Sequence, residues 1–317
     1  MTEPVVRRAV RDWLREYAPT GPVCVGLSGG ADSLALTAAA AGEREVAALI
    51  VDHQLQEGSA AVAARAAEQA LALGCVRAQV LTVDVTGPGG MEAAARRARY
   101  AALNGARDGQ PVLLAHTLDD QAETVLLGLS RGSGPGSIRG MADWAQPWGR
   151  PLLGVRRADT VAACAARGVE PHADPHNLDP AFTRVRLRRE VLPLLEEVLG
   201  GGVATALART AAQLAEDADA LDEMAADLHA LAADAEELEV AVLAGQHVAV
   251  RRRALRWWLL GAGVKGLTDA HLRSVDALIG DWRGQGGVAL AGGGPGVRIV
   301  VQRERGRLTV QREQNGS

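Results

Sequence analysis

One stretch near the N-terminus limits what this chain can become: Ser28-Gly29-Gly30-Ala31-Asp32-Ser33. Before it runs Val23-Cys24-Val25-Gly26-Leu27, an apolar run of strand length; after it runs Leu34 to Ala41, rich in the strong helix formers alanine and leucine. A strand, a Gly-Gly turn and a helix start bring unpaired backbone N–H groups and the positive end of a helix to one point, which suits a phosphate. Ser28 and Ser33 add hydroxyl donors. Asp32 does not fit a plain phosphate loop, because a carboxylate repels phosphate unless a metal or a cationic substrate lies between them. The loop therefore reads as a nucleotide site that also handles a cation.

The rest of the N-terminal half alternates in the same way. A helix with Val6, Val10, Trp13, Leu14 and Tyr17 on one face comes first, and further apolar runs at 46–51, 79–83 and 111–116 alternate with helices at about 59–73, 91–108 and 119–131. This is the pattern of an α/β protein with a doubly wound parallel sheet. Ligands bind such sheets beyond the carboxyl ends of the strands, at the switch point of strand order. The loop, Asp52-His53 and the segment from His116 to Asp120 all fall at strand ends and are expected to meet in one crevice. Glycine-rich 132–149 reads as a loop, 152–167 as a short strand and a helix, and 180–199 as one helix. Gly200-Gly201-Gly202 is the expected boundary between a catalytic domain, 1–200, and a smaller, mainly helical domain, 201–317, with short strands in its tail.

Composition excludes several functions. No apolar run reaches the 18 to 20 or so residues of a membrane span, and the N-terminus lacks a secretory pattern, so a cytoplasmic enzyme is expected. Cys24, Cys75 and Cys164 are far apart and form no Cys-x-x-Cys pair, which argues against a disulfide framework, zinc or an iron–sulfur cluster. Net charge is −4, yet residues 216–239 hold ten acids and no Lys or Arg, so the remainder is basic. Nearly all of that positive charge is arginine, since Lys265 is the only lysine. Arginine suits phosphate and base recognition, while compositional bias explains the same preference equally well.

The Walker pattern occurs nowhere in the chain, and the loop at 28–33 is not Gly-x-Gly-x-x-Gly. The second chemical segment is His116-Thr117-Leu118-Asp119-Asp120-Gln121-Ala122-Glu123-Thr124. Asp120 and Glu123, at i and i+3, share one helical face and together suit an ammonium group or Mg2+. Helix capping by Asp119 or Asp120, with Glu123 near the third position, is the plainer explanation of the acids, but it leaves His116 unexplained.

Ser-Gly-Gly-x-Asp-Ser between a strand and a helix resembles the pyrophosphate-loop ATP pyrophosphatases, which cleave ATP between its α- and β-phosphates and adenylate a substrate. Within that family the chain resembles the tRNA(Ile)-lysidine synthetases. The matching segments are 116–124 with the following Arg131-Gly132-Ser133-Gly134, Val51-Asp52-His53-Gln54-Leu55, Glu92 to Tyr100, Arg150-Pro151-Leu152-Leu153, Asp174-Pro175-His176-Asn177 and Phe182 to Arg188. Thr117 replaces a frequent second histidine and Gln56 a frequent arginine. The resemblance implies ATP and Mg2+, free L-lysine, and an isoleucine tRNA with a CAU anticodon as substrate. It also implies adenylation of the first anticodon cytidine at O2, displacement of AMP by the lysine ε-amine, and a homodimer as one assembly to test.

By the same resemblance Ser28, Gly29, Gly30, Ala31, Asp32, Ser33, Asp52 and His53 bind the nucleotide. Asp32 or Asp120 holds Mg2+, or Asp32, Asp120 and Glu123 hold the cationic groups of lysine, with Arg96 on its carboxylate. Arg188 stabilises ATP or the adenylated base, and His116 moves a proton. Arg184, Arg186 and Arg188 cannot all share one helical face, and Arg251 to Arg256 suit either tRNA contact or a solvated face. The other functions weighed are a tRNA thiolase, which the cysteine spacing disfavours, an amide-forming synthetase such as GMP synthetase, and a non-enzymatic nucleotide-binding protein.

Overall fold

A computed structural model of the chain describes residues 4–314, apart from 57, 89, 133–134, 175–178, 235–236 and 295. Ser133, Gly134, Pro175, His176 and Asn177 of the motifs above thus lie outside the described residues. The chain divides into two compact units, Met1–Ala215 and Glu216–Ser317.

The first unit begins with α1 (Val5–Tyr17), β1 (Val23–Gly26), α2 (Ala31–Ala41), β2 (Val46–Asp52), α3 (Ser59–Ala72), β3 (Arg77–Thr82), α4 (Gly90–Ala106), β4 (Val112–Leu113) and α5 (Leu118–Arg131). It continues through α6 (Pro135–Ile138), β5 (Trp144–Ala145), β6 (Trp148–Gly149), α7 (Arg157–Ala165), α8 (Thr183–Arg186), a π-helical turn (Leu187–Val191) and α9 (Leu192–Val198). The strands form one sheet in the order β3-β2-β1-β4-β6-β5. Every pairing is parallel except β5 with β6. From β1 the chain winds outward to β2 and β3, then returns to place β4 on the other side. The switch point therefore lies between the ends of β1 and β4, where the loop at 28–33 and the segment 116–120 emerge.

Core packing follows the sequence pattern. Val6, Val10, Trp13 and Leu14 of α1 are buried, each of the aliphatic ones worth about 1.5–3 kcal/mol relative to exposure. Three expectations need correction. Segment 132–149 is not simply a loop: its tryptophans build β5 and β6, and Trp144 packs edge-on against Trp13 with ring centroids 5.5 Å apart. Gly149 is required there, because a Cβ would lie 2.4 Å from the Trp13 ring. Residues 151–154 form turns rather than a short strand, and α7 follows them directly. The expected helix over 180–199 is interrupted by the π-helical turn.

The boundary between the units falls inside α10 (Val203–Ala232), beyond the Gly200–Gly202 break. Ala211, Ala218, Ala225 and Ala232 of α10 are buried at a seven-residue interval, while Glu216, Asp217, Asp219, Glu223 and Asp227 face solvent. The second unit adds β7 (Ala233–Asp234), β8 (Glu237–Glu239), α11 (Val240–Ala244), α12 (Val248–Gly261), α13 (Asp269–Gly280), β9 (Val288–Ala291), β10 (Val297–Glu304) and β11 (Arg307–Gln314). Its antiparallel sheet has the order β7-β8-β11-β10-β9, and β10 and β11 form the hairpin expected around Arg305-Gly306. Three of the arginines of α12 have another task than a free charged face. Arg251 and Arg252 share the buried Asp276 at 2.6 and 2.9 Å, and Arg253 pairs with Asp222 at 2.9 Å. Trp258 is core, whereas Trp257 and Trp282 are more than a third exposed.

Candidate active site

The loop after β1 is shaped as an anion cradle. Gly29 has φ of +81°, a backbone conformation that favours glycine, and Gly30 caps α2 without any side-chain hydrogen bond to the first-turn N–H groups. The serines stabilise the loop internally: Ser33 Oγ accepts from Ser28 N–H at 3.2 Å and donates to the Gly30 carbonyl at 2.9 Å. His172 N–H donates to the Gly29 carbonyl at 2.9 Å, tying the loop to the segment after α7. Asp52, buried at the end of β2, accepts from Gln54 N–H at 2.9 Å and so shapes the neighbouring turn.

Beside the loop, α5 presents its acids. Thr117 is the cap of α5: its N–H and hydroxyl both donate to Asp120 Oδ2, at 2.8 and 2.9 Å, and Asp120 N–H returns to Thr117 Oγ1. The capping box thus uses Thr117 and Asp120, and Glu123 is left for another purpose. Thr117, which stands where a second histidine is frequent, orients Asp120. Asp119 accepts from Arg157 N–H at 2.8 Å and pairs with Arg156, fixing the start of α7 against the start of α5.

Two guanidinium groups lie among the acids. Arg157 reaches Asp32 Oδ2 with Nε at 3.1 Å, Asp120 Oδ1 with Nη2 at 2.6 Å and Glu123 Oε1 with Nη1 at 3.7 Å. Arg188 reaches Glu123 Oε1 with Nε at 2.7 Å and Asp120 Oδ1 with Nη2 at 3.2 Å. Arg184 stands 3.8 Å from Glu123, whose side chain is fully buried, whereas Arg186 turns away to Glu190. Thr160 of α7 donates to Asp32 Oδ1. Burial raises the Asp32 pKa against the opposing effects of Thr160 and Arg157. Burial also acts against the charge on Asp120, but Arg157 and the Thr117 donors outweigh it and the pKa falls. Arg157 and Thr160 were not foreseen from sequence. The available signal was Arg156-Arg157, separated by two residues from the matched Arg150-Pro151-Leu152-Leu153, together with the need of three clustered acids for counter-charge.

The crevice has a cationic side as well. Arg96 is exposed on α4, stacks over Tyr100 at 4.8 Å and donates to its hydroxyl at 3.2 Å; it makes no ion pair with the acid trio. Among the described residues, His53 Nδ1, Arg99 Nε, His116 Nδ1 and Arg150 Nε are buried and have no hydrogen-bond partner. Burial lowers the His53 pKa, with Arg99 adding to the effect. Burial lowers that of His116 to about 4; Asp120 opposes the shift, and Arg150, Arg99 and Arg96 reinforce it. His116 is therefore neutral at pH 7. Between its ordinary value of 6.5 and about 4, the unfolded chain binds a proton that the folded chain refuses, so stability rises with pH across that window. Urea midpoints should be lower at pH 5 than at pH 7, and His116→Gln should narrow the gap. A gap unchanged in the variant would remove His116 as its source.

Among the described residues, no three His, Cys, Asp or Glu side chains converge as a metal cage. The carboxylates of Asp32 and Asp120 offer the hard oxygen donors that Mg2+ takes when substrate phosphates supply its other ligands.

The chain matches the PP-loop domain family over residues 2–195 and the TilS substrate binding domain over residues 238–309. It is 64% identical over 312 residues to a tRNA(Ile)-lysidine synthase of Nocardia farcinica (strain IFM 10152), covering 98% of both chains. The chain belongs to the tRNA(Ile)-lysidine synthase family. A synthase of the same name from Rhodococcus jostii (strain RHA1) is also 64% identical, over 96% of this chain and 94% of the relative. The U34-tRNA thiolase NcsA from Methanococcus maripaludis, solved with its [4Fe-4S] cluster, shares the fold with a TM-score of 0.54 at 17% identity, over 67% of this chain and 78% of that one. In this tRNA(Ile)-lysidine synthase family member, Cys24, Cys75 and Cys164 are each buried and free, and burial raises the thiols of Cys24 and Cys75 to about 11. Thiols so far from ionisation are poor nucleophiles.

Proposed function

We propose that the crevice between β1 and β4 carries out ATP-dependent lysidine formation on tRNA(Ile), with free L-lysine as the amine donor. The reading rests above all on one arrangement: an uncapped phosphate cradle beside a trio of acids, Asp32, Asp120 and Glu123, whose positive partners are all arginines. ATP phosphates lie on the N–H groups of 28–33, with the 52–54 turn at the nucleotide's edge. Oxygen O2 of the first anticodon cytidine attacks the α-phosphorus, and the bond to the β-phosphate breaks. Pyrophosphate leaves on the loop, where the helix end stabilises its charge. The ε-amine of lysine then attacks C2 and the C2–O2 bond breaks, so O2 departs with AMP.

Asp120 and Glu123 orient the lysine amine, and Arg96 takes its carboxylate with a planar fork. His116, neutral and close to Asp120, accepts the proton that the amine loses. Arg188 stabilises the adenylate. Asp32 and Asp120 would hold Mg2+ jointly with the phosphates; when bound, the ion neutralises charge on the departing pyrophosphate. No single helix among the described residues is long and apolar enough to cross a membrane, and a tRNA substrate fits a cytoplasmic enzyme. Incubation with labelled lysine, ATP and tRNA(Ile) bearing CAU should transfer label to the tRNA and release AMP and pyrophosphate. ATP cleavage without lysine transfer would refute the reading.

A further inference from the structure

The acid trio lies ready for a cation, yet in this structure the chain fills it with its own. Arg157 touches all three carboxylates with three different nitrogens, and only 23% of its side chain is exposed. It is also rooted next to the phosphate loop. Arg157 opens α7, which packs on α2, and its partner Asp32 lies in the first turn of α2, just past Gly30. One guanidinium therefore stands where the anion cradle and the acids of α5 come closest. Burial works against its charge, but Asp120, Asp32 and Glu123 outweigh that and hold it firmly protonated.

Charge balance gives this placement a consequence. Asp32, Asp120 and Glu123 carry three negative charges, and Arg157, Arg188 and the nearby Arg184 carry three positive ones. Adding a substrate ammonium leaves an excess cation in a half-buried space, which is unfavourable unless one resident cation finds another anion. Arg188 is held at 2.7 Å by the fully buried Glu123, and Arg184 is the most exposed of the three. Arg157 alone borders the phosphate cradle through Asp32.

We infer that Arg157 is an exchangeable resident cation: the lysine amine displaces its guanidinium from Asp120 and Glu123, and the freed guanidinium binds the polyphosphate on the neighbouring loop. The inference rests on the lysine reading of the site. Each ligand then tightens the other by the same factor, because coupling between two binding sites is reciprocal. Arg157 thus competes with lysine for the acids and is a direct ligand for phosphate.

The test is calorimetric titration of the whole protein with lysine and with the non-cleavable α,β-methylene analogue of ATP, each alone and in the presence of the other. In the wild type, each ligand should bind about 5–150 times more tightly with the other present, the usual range of coupling. Arg157→Gln should abolish that enhancement while lysine alone binds at least as tightly as to the wild type, since its competitor is gone. Arg157→Lys, which keeps the charge, should restore part of the enhancement. A merely structural role would weaken both ligands together in Arg157→Gln. That outcome, or enhancement surviving intact in the variant, overturns the proposal. A wild type that binds the analogue but never lysine refutes the lysine reading itself, and the exchange with it.

Discussion

Glu123→Gln should abolish most lysine transfer while leaving nucleotide binding nearly intact. Glu123 is fully buried and accepts from Arg188 Nε at 2.7 Å, with Arg157 and Arg184 close by. The substitution keeps the shape but removes the one charge that faces three arginines. Arg188 loses its anchor, and a misplacement of about 1 Å at a reacting centre costs around 10²-fold in rate. Stability falls too. Breaking a buried ion pair costs about 3–5 kcal/mol, and the lower end applies because Arg188 is 31% exposed and water recovers part of the loss. The comparison of kcat/KM for lysine incorporation with the Kd for the ATP analogue decides the matter. Equal losses in both would mean that Glu123 serves only the fold.

Asp276→Ala should be the most damaging single change in the second unit. Asp276 is buried and accepts from Arg251 at 2.6 Å and from Arg252 at 2.9 Å, and the Arg251 side chain is only 10% exposed. Among the described residues, alanine would leave the enclosed Arg251 guanidinium with only the Gln246 carbonyl, at 3.3 Å, to satisfy it. The expected loss is again about 3–5 kcal/mol, now without a solvent discount on Arg251. For a unit near 100 residues each kcal/mol shifts the melting midpoint by roughly 4–8 °C. Hydrogen exchange across α12 and α13 should speed up accordingly. Arg252→Ala, which removes a partner that is 27% exposed, should cost much less. Comparable losses for the two variants would contradict the central position given to Asp276.

The half of the site that follows local rules was legible in the sequence. The strand–loop–helix at 23–41 announces itself through an apolar run, two glycines and a run of helix formers, and each part is where local propensity places it. The alternation that follows is regular enough to locate the switch point, and with it the meeting of the loop with 116–120. What stayed hidden depends on long-range packing. β5 and β6 are two residues each, too short for any period to show, and they exist because Trp144 and Trp148 find Trp13 and Tyr100. The π-helical turn leaves no local signature in Leu187 to Val191. Arg157 looked like one of many arginines because its role comes from carboxylates that lie 34 or more positions away in the chain. The arginines of α12 suited either tRNA contact or a solvated face in the sequence; the pairing of Arg251, Arg252 and Arg253 with Asp276 and Asp222 had no local signal, because those carboxylates lie 24 to 31 positions away.

The solvent-facing acids of α10 bear on how long any RNA remains. With Glu216, Asp217, Asp219, Glu223 and Asp227 exposed, the protein keeps a net charge of −4 despite its many arginines. Sequence-independent adhesion to RNA grows with the number of phosphates neutralised, and an acidic rail lowers it. A protein that must examine many similar tRNAs gains from brief encounters with the wrong ones. Its discrimination then depends on the few contacts at the crevice rather than on general stickiness, and rapid departure of rejected molecules keeps the site available for the next.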